Sequence, residues 1–144
     1  MKKKLPIILS VCLFITTVVF FGLWQREKQA QEDLINLCRA SAVSAVTSFS
    51  EFKEFGHESS YWAGVSDFRV FQQAYYFLVE GTNDVANYTF CNDVYGHLLL
   101  SPMISQNNID EVISVMKVVA NDLTDPNGIR QMADLRNNMQ EQMD

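Results

Sequence analysis

Two patterns of hydrophobic and polar positions follow one another along the chain. Residues 5–24 contain no charged side chain, and the sequence then turns polar at once with Gln25, Arg26, Glu27, Lys28 and Gln29. At about 1.5 Å rise per residue, a helix over residues 5–24 covers roughly 30 Å, the thickness of a bilayer's hydrocarbon core. Pro6 falls in the first turn, where its missing N–H costs nothing. Phe20, Phe21 and Trp24 crowd the far end, and Trp favours the membrane interface. A cleaved signal peptide is the rival reading. Its apolar region is shorter, about 7 to 15 residues, and it ends on a small-x-small site. Lys28 two before Ala30 makes a poor site, and Val11 before Cys12 does not suit a lipoprotein signal. The pattern predicts an uncleaved signal-anchor, single-pass.

Past this run, apolar residues recur at three- and four-residue spacing, and no strand pattern competes with it. Residues 25–55 contain neither Gly nor Pro. One apolar face there carries Leu34, Leu37, Cys38, Ser41, Ala45, Phe49, Phe52 and Phe55, and Gly56 permits a stop. A second helix is expected over 60–80, with Tyr61, Val65, Phe68, Phe71, Tyr75, Leu78 and Val79 facing the core and Gly81 after it. A third, capped by Thr82 or Asn83, reaches Leu100 with Val85, Tyr88, Cys91, Tyr95, Leu98 and Leu99 on one side, and Pro102 ends it. Asn108 followed by Glu111 reads as a cap with a box-like acceptor. The stripe behind it is Ile109, Val112, Ile113, Met116, Val119, Ala120 and Leu123. Asp125-Pro126 starts a last helix with Ile129, Met132, Leu135, Met139 and Met143. The small residues of segment 39–50 suit close packing against the aromatic second and third helices.

These elements predict an all-α chain: one transmembrane helix followed by an antiparallel four- or five-helix bundle. The expected organisation is a cytoplasmic stub at 1–4, the span at 5–24, a helical linker at 25–33 and an extracytoplasmic bundle at 34–144. Lys2, Lys3 and Lys4 before the span place the N-terminus in the cytoplasm and the bundle outside.

Charge narrows the function. The 144 residues carry 11 Lys+Arg against 17 Asp+Glu, a net charge of −6. All 17 acidic residues but only 8 basic ones lie beyond residue 24, so the outer part carries 8 − 17 = −9. Such a domain is repelled by an anionic lipid surface, and no basic face is available for nucleic acid. Glycine-rich phosphate loops and Gly-x-Ser-x-Gly elbows are absent, so the sequence implies no cofactor and no catalytic residue.

The remaining candidates are few. Cys38 and Cys91 both fall on expected core faces. They form a candidate disulfide, with two buried free thiols as the alternative. Simple register arithmetic separates them by about 10 Å along the bundle, beyond the roughly 7 Å a disulfide spans. Glu54-x-x-His57 and Asp93-x-x-x-His97 have helical metal-ligand spacing. Glu54 and His97 nevertheless point away from their apolar faces, so solvated side chains and no metal are expected. Val70, Phe77, Phe90 and Leu100 lie off the main faces of helices two and three and form a candidate partner patch. Tyr61, Phe68, Tyr75, Tyr88 and Tyr95 are candidate ligand-lining aromatics. The leading expectation is a non-enzymatic, membrane-anchored interaction protein, an accessory or assembly subunit of an envelope complex. Its partners would be the bilayer, through residues 5–24, and a protein of the same membrane or envelope. The alternative is a sensor-like bundle that binds a small molecule or peptide.

Overall fold

The computed structural model describes residues 5–80, 85–123 and 125–143, with side chains from residue 13 onward except at 81–86. The described residues form six helices and no strand: α1 Leu5–Phe55, α2 Glu58–Val79, α3 Val85–Leu100, α4 Pro102–Asn107, α5 Ile109–Asn121 and α6 Pro126–Glu141. The chain divides into two compact units, Met1–Asp33 and Leu34–Asp144. The stub at 1–4, Gly81 and the Thr82 or Asn83 cap lie outside the described residues.

In the first unit, every described side chain from Leu13 to Trp24 is exposed, with Phe14 at 71% and Phe20 at 78%. The hydroxyls of Thr16 and Thr17 donate back to the Leu13 carbonyl, at 2.9 and 2.8 Å. Among the described residues no helix is long and apolar enough to cross a membrane. Side chains 5–12 of the apolar run lie outside the description, and an eighteen-residue stretch from Leu13 already includes Arg26, Glu27 and Lys28.

The second unit is a helical bundle, and its contacts set the helix directions. Phe52 near the end of α1 meets Tyr61 at the start of α2 (ring centroids 5.3 Å apart), while Ser44 lower on α1 donates to Asp67 at 2.8 Å, so the two run antiparallel. Tyr61 then donates to the Leu98 carbonyl at 2.7 Å, and Gln72 donates to Tyr88 at 2.7 Å, which makes α2 and α3 antiparallel too. Glu111 of α5 accepts from Asn138, and Gly128 sits against Val118 and Val119, so α5 and α6 also oppose. Helices α3 and α6 depart from this rule. Asp93 faces Arg136, and Ser101 just after α3 meets Met143 just after α6, so these neighbours run parallel. The purely antiparallel expectation is corrected there: consecutive helices alternate, but the fold brings two like-directed ones side by side.

The main stripes are found where periodicity puts them. Tyr61, Val65, Phe68, Phe71, Tyr75 and Val79 are buried on α2, and Ile109, Val112, Ile113, Met116 and Val119 on α5. Gly56 closes α1 with φ +68°, a conformation that glycine adopts without a Cβ clash. Asp125 caps α6 by accepting from Asn127 N at 2.8 Å.

Four details differ. Asn108 holds no capping box. Its side-chain amide donates to the Ile104 carbonyl behind it and to Gln142, because it is also the last residue of α4's final turn. Pro102 both follows α3 and opens α4, where its ring suits the first turn. Leu37 and Phe55 stand exposed while Ala42 and Ala74 are fully or nearly buried, since close helix approach favours the small side chains. His97, expected in solvent, is only 8% exposed. Helix α3 packs against both α2 and α6, so its buried face is wide, and Val94 and His97 are buried along with Cys91 and Leu98.

Candidate functional site

The sides of α3 carry two open depressions that share Asn92. The one toward α2 is a groove of about 680 Å³, lined by the aromatic rings Tyr76, Phe77, Tyr88 and Tyr95, the amides Gln72 and Gln73, and Arg69. Its polar wall is ordered: Gln72 Nε2 donates to Tyr88 Oη at 2.7 Å and to Asn92 Oδ1 at 3.3 Å. Its apolar rim is Phe77, 60% exposed, with Leu99. Burying one such ring is worth about 1.5–3 kcal/mol, so the rim favours an apolar contact over water.

The other depression, about 420 Å³, lies between α3 and α6. Asp93, Gly96, His97 and Leu100 face it from α3, and Arg136 and Gln140 from α6. Arg136 Nε is buried without a hydrogen-bond partner and stands 3.8 Å from Asp93 Oδ2, too far for a hydrogen bond. The Arg136 guanidinium also lies 5.3 Å above the Phe90 ring centroid. Burial holds the His97 imidazole below its ordinary pKa of 6.5; Asp93 opposes this and Arg136 adds to it. At neutral pH the cleft therefore presents a neutral imidazole beside the Arg136 guanidinium.

The structure brings only some of the expected site residues together. Val70 and Phe77 are exposed on α2, whereas Leu100 lines the α3·α6 cleft and Phe90 lies half-buried beneath Arg136. The four therefore do not form one patch; Phe77 pairs with Leu99 instead. The five aromatics are likewise divided. Tyr61 and Phe68 are wholly buried, Tyr75 borders a void of only about 10 Å³, and Tyr88 and Tyr95 line the open groove. Cys38 and Cys91 are free thiols in the core. Burial pushes them up to about 11 and about 12, so neither is a thiolate at neutral pH. Among the described residues no group of three or more His, Cys, Asp or Glu is placed to hold a metal ion.

Sequence reasoning missed Arg136 altogether. It sits on the polar side of α6, and only the parallel packing of α3 and α6 carries it to His97. No family model, curated protein or solved structure matches this chain.

Proposed function

We propose that this is a membrane-anchored interaction protein: residues 5–24 cross a bilayer once, and the acidic bundle faces the extracytoplasmic side. The observation that carries the reading is the uncovered apolar surface of the first unit. Side chains around the whole helix, among them Phe14, Val18, Phe20 and Leu23, are exposed together. A helix apolar on every side finds a favourable solvent in lipid rather than in water. The threonine hydroxyls bonded to the Leu13 carbonyl suit that setting, where unpaired polar groups are costly.

Held at the membrane, the bundle meets envelope partners at a raised effective concentration. The α2·α3 groove is the face offered to a protein partner, with Phe77 and Leu99 as apolar anchors among hydrogen-bonding amides. Interfaces commonly combine such a core with a polar rim. The role is that of an accessory or assembly subunit of an envelope complex, without catalysis of its own.

A photo-crosslinking amino acid at position 77 tests this in intact cells. The expected result is a discrete adduct with one membrane or envelope protein, while the same probe at the exposed position Arg130 gives none. Equal, diffuse labelling from both positions would overturn the partner assignment. Release of the protein by carbonate washing would overturn the anchor.

A further inference from the structure

We infer that the α3·α6 cleft binds a small carboxylate-bearing molecule, with the Arg136 guanidinium as its anchor. Apart from Asn92 the site shares no lining residue with the α2·α3 groove, and it does not depend on the membrane reading. Three observations meet there. The guanidinium carries a permanent charge, its ion-pair partner Asp93 stays at 3.8 Å, and its Nε is buried without a hydrogen-bond partner. His97 is buried, only 8% exposed, and lines the cleft. The cleft has a volume of about 420 Å³ and continues to the apolar side chains of Leu100 and Met143. Buried polar groups are normally paired, so a guanidinium with an unpartnered N–H beside a buried imidazole in one cleft marks a place where a ligand completes the pairing.

The charge selects the class. One guanidinium matches one carboxylate through its paired N–H donors. Asp93 shares the cleft and repels any anion, so a dianionic phosphate meets about twice the repulsion that a monocarboxylate does. The neutral imidazole supplies one N–H to the ligand, and Gln140 adds an amide at the rim. A short alkyl tail would lie on Leu100 and Met143, covering surface that is 81% and 41% exposed. An anion bound here also favours imidazolium over imidazole. The charged groups acting on His97 are Asp93 from its own helix and Arg136 from α6. None of the charged residues of α2 (Glu58, Asp67, Arg69) lines the cleft, and α4 has none. Binding therefore tightens as pH falls toward the imidazole range.

Carbon-13 labelling of the two histidines gives a direct readout on the full chain in detergent micelles. His57, exposed at the start of α2, serves as the internal reference. Titration with butyrate is expected to move the His97 resonance saturably and leave His57 in place. Arg136→Gln should weaken binding about tenfold or more, the loss of a charge-assisted fork. Leu100→Asp keeps the fold, because the side chain is exposed, and should weaken binding several-fold by placing a like charge at the mouth; it decides the matter if Arg136→Gln does not fold. Parallel movement of both histidines, tighter binding of inorganic phosphate than of butyrate, or unchanged affinity in the folded variants would each overturn the assignment.

Discussion

Phe14, Val18 and Phe20 of the first unit and Phe49, Phe68 and Phe71 of the second are the same kinds of residue with opposite surroundings. The first three are more than half exposed, and the last three are wholly buried. Polar residues account for the difference. In bundle helices such as α2, α5 and α6, apolar positions alternate with charges or amides at helical spacing, which leaves one stripe to bury and one to hydrate. Residues 13–24 have no such interruption, so no rotation of that helix hides its apolar surface. Hydrophobicity alone does not create a protein core; sidedness does. A uniformly apolar helix must find a medium that is itself apolar.

Charges placed in the uniform segment should produce the largest effect. Phe14→Lys with Ile15→Lys costs about 2.5–3.5 kcal/mol per lysine in hydrocarbon. The protein should move from the carbonate-washed membrane pellet to the soluble fraction while bundle stability in urea stays unchanged. Phe68→Ala should do the reverse. It removes a fully buried ring at a cost of about 3–5 kcal/mol, visible as a lower urea midpoint with the membrane fraction intact. If both variants changed both readouts, the two units would not be energetically separate.

Two glycines sharpen the contrast at a smaller scale. A Cβ at Gly64 would stand 2.6 Å from the Phe49 ring, which has nowhere exposed to go, whereas one at Gly22 meets nothing within 4 Å. Alanine gains about 1 kcal/mol of helix propensity at either position, but overpacking at Gly64 costs about 1–3 kcal/mol. Gly64→Ala should therefore be neutral to about 2 kcal/mol destabilising, and Phe49→Leu in the same chain should recover part of the loss. Gly22→Ala should leave the bundle's urea midpoint unchanged.

How much of this was legible in the sequence depended on each helix's neighbours. Helix α5 buries one stripe, and its pattern of Ile109, Val112, Ile113, Met116 and Val119 could be read off directly. The cap at Asp125 was equally plain, because Asp-Pro carries its own local geometry. Helix α3 packs against both α2 and α6, so its buried face is wide and no single phase could be chosen. Reading one face placed Leu99 inside and missed Val94 and His97. Asn108 looked like a cap because Glu111 stands three residues on, yet its amide satisfies the helix behind it. The α3·α6 cleft was out of reach. Its two principal groups come from helices far apart in the chain, and nothing local signals that those helices run parallel.

His97 offers the smallest and most specific test, a change of slope rather than of height. Its folded-state pKa lies below 6.5, first through burial and then through Arg136, with Asp93 acting the other way. Well above pH 6.5 the residue is neutral in both folded and unfolded chains and contributes nothing to pH dependence. As pH falls below 6.5, the unfolded chain takes up a proton that the folded chain resists, so stability declines until the folded pKa is passed. His97→Gln keeps a polar side chain at the cleft but cannot titrate. Urea midpoints taken from pH 7.5 down to 5.5 should fall more steeply for the natural chain than for the variant. A raised rather than lowered folded pKa would invert the comparison, with the natural chain gaining stability relative to the variant on acidification. That result would mean Asp93 outweighs burial and Arg136, and that the cleft already holds an imidazolium near neutral pH. The sign of one slope difference thus reports which charge controls the cleft.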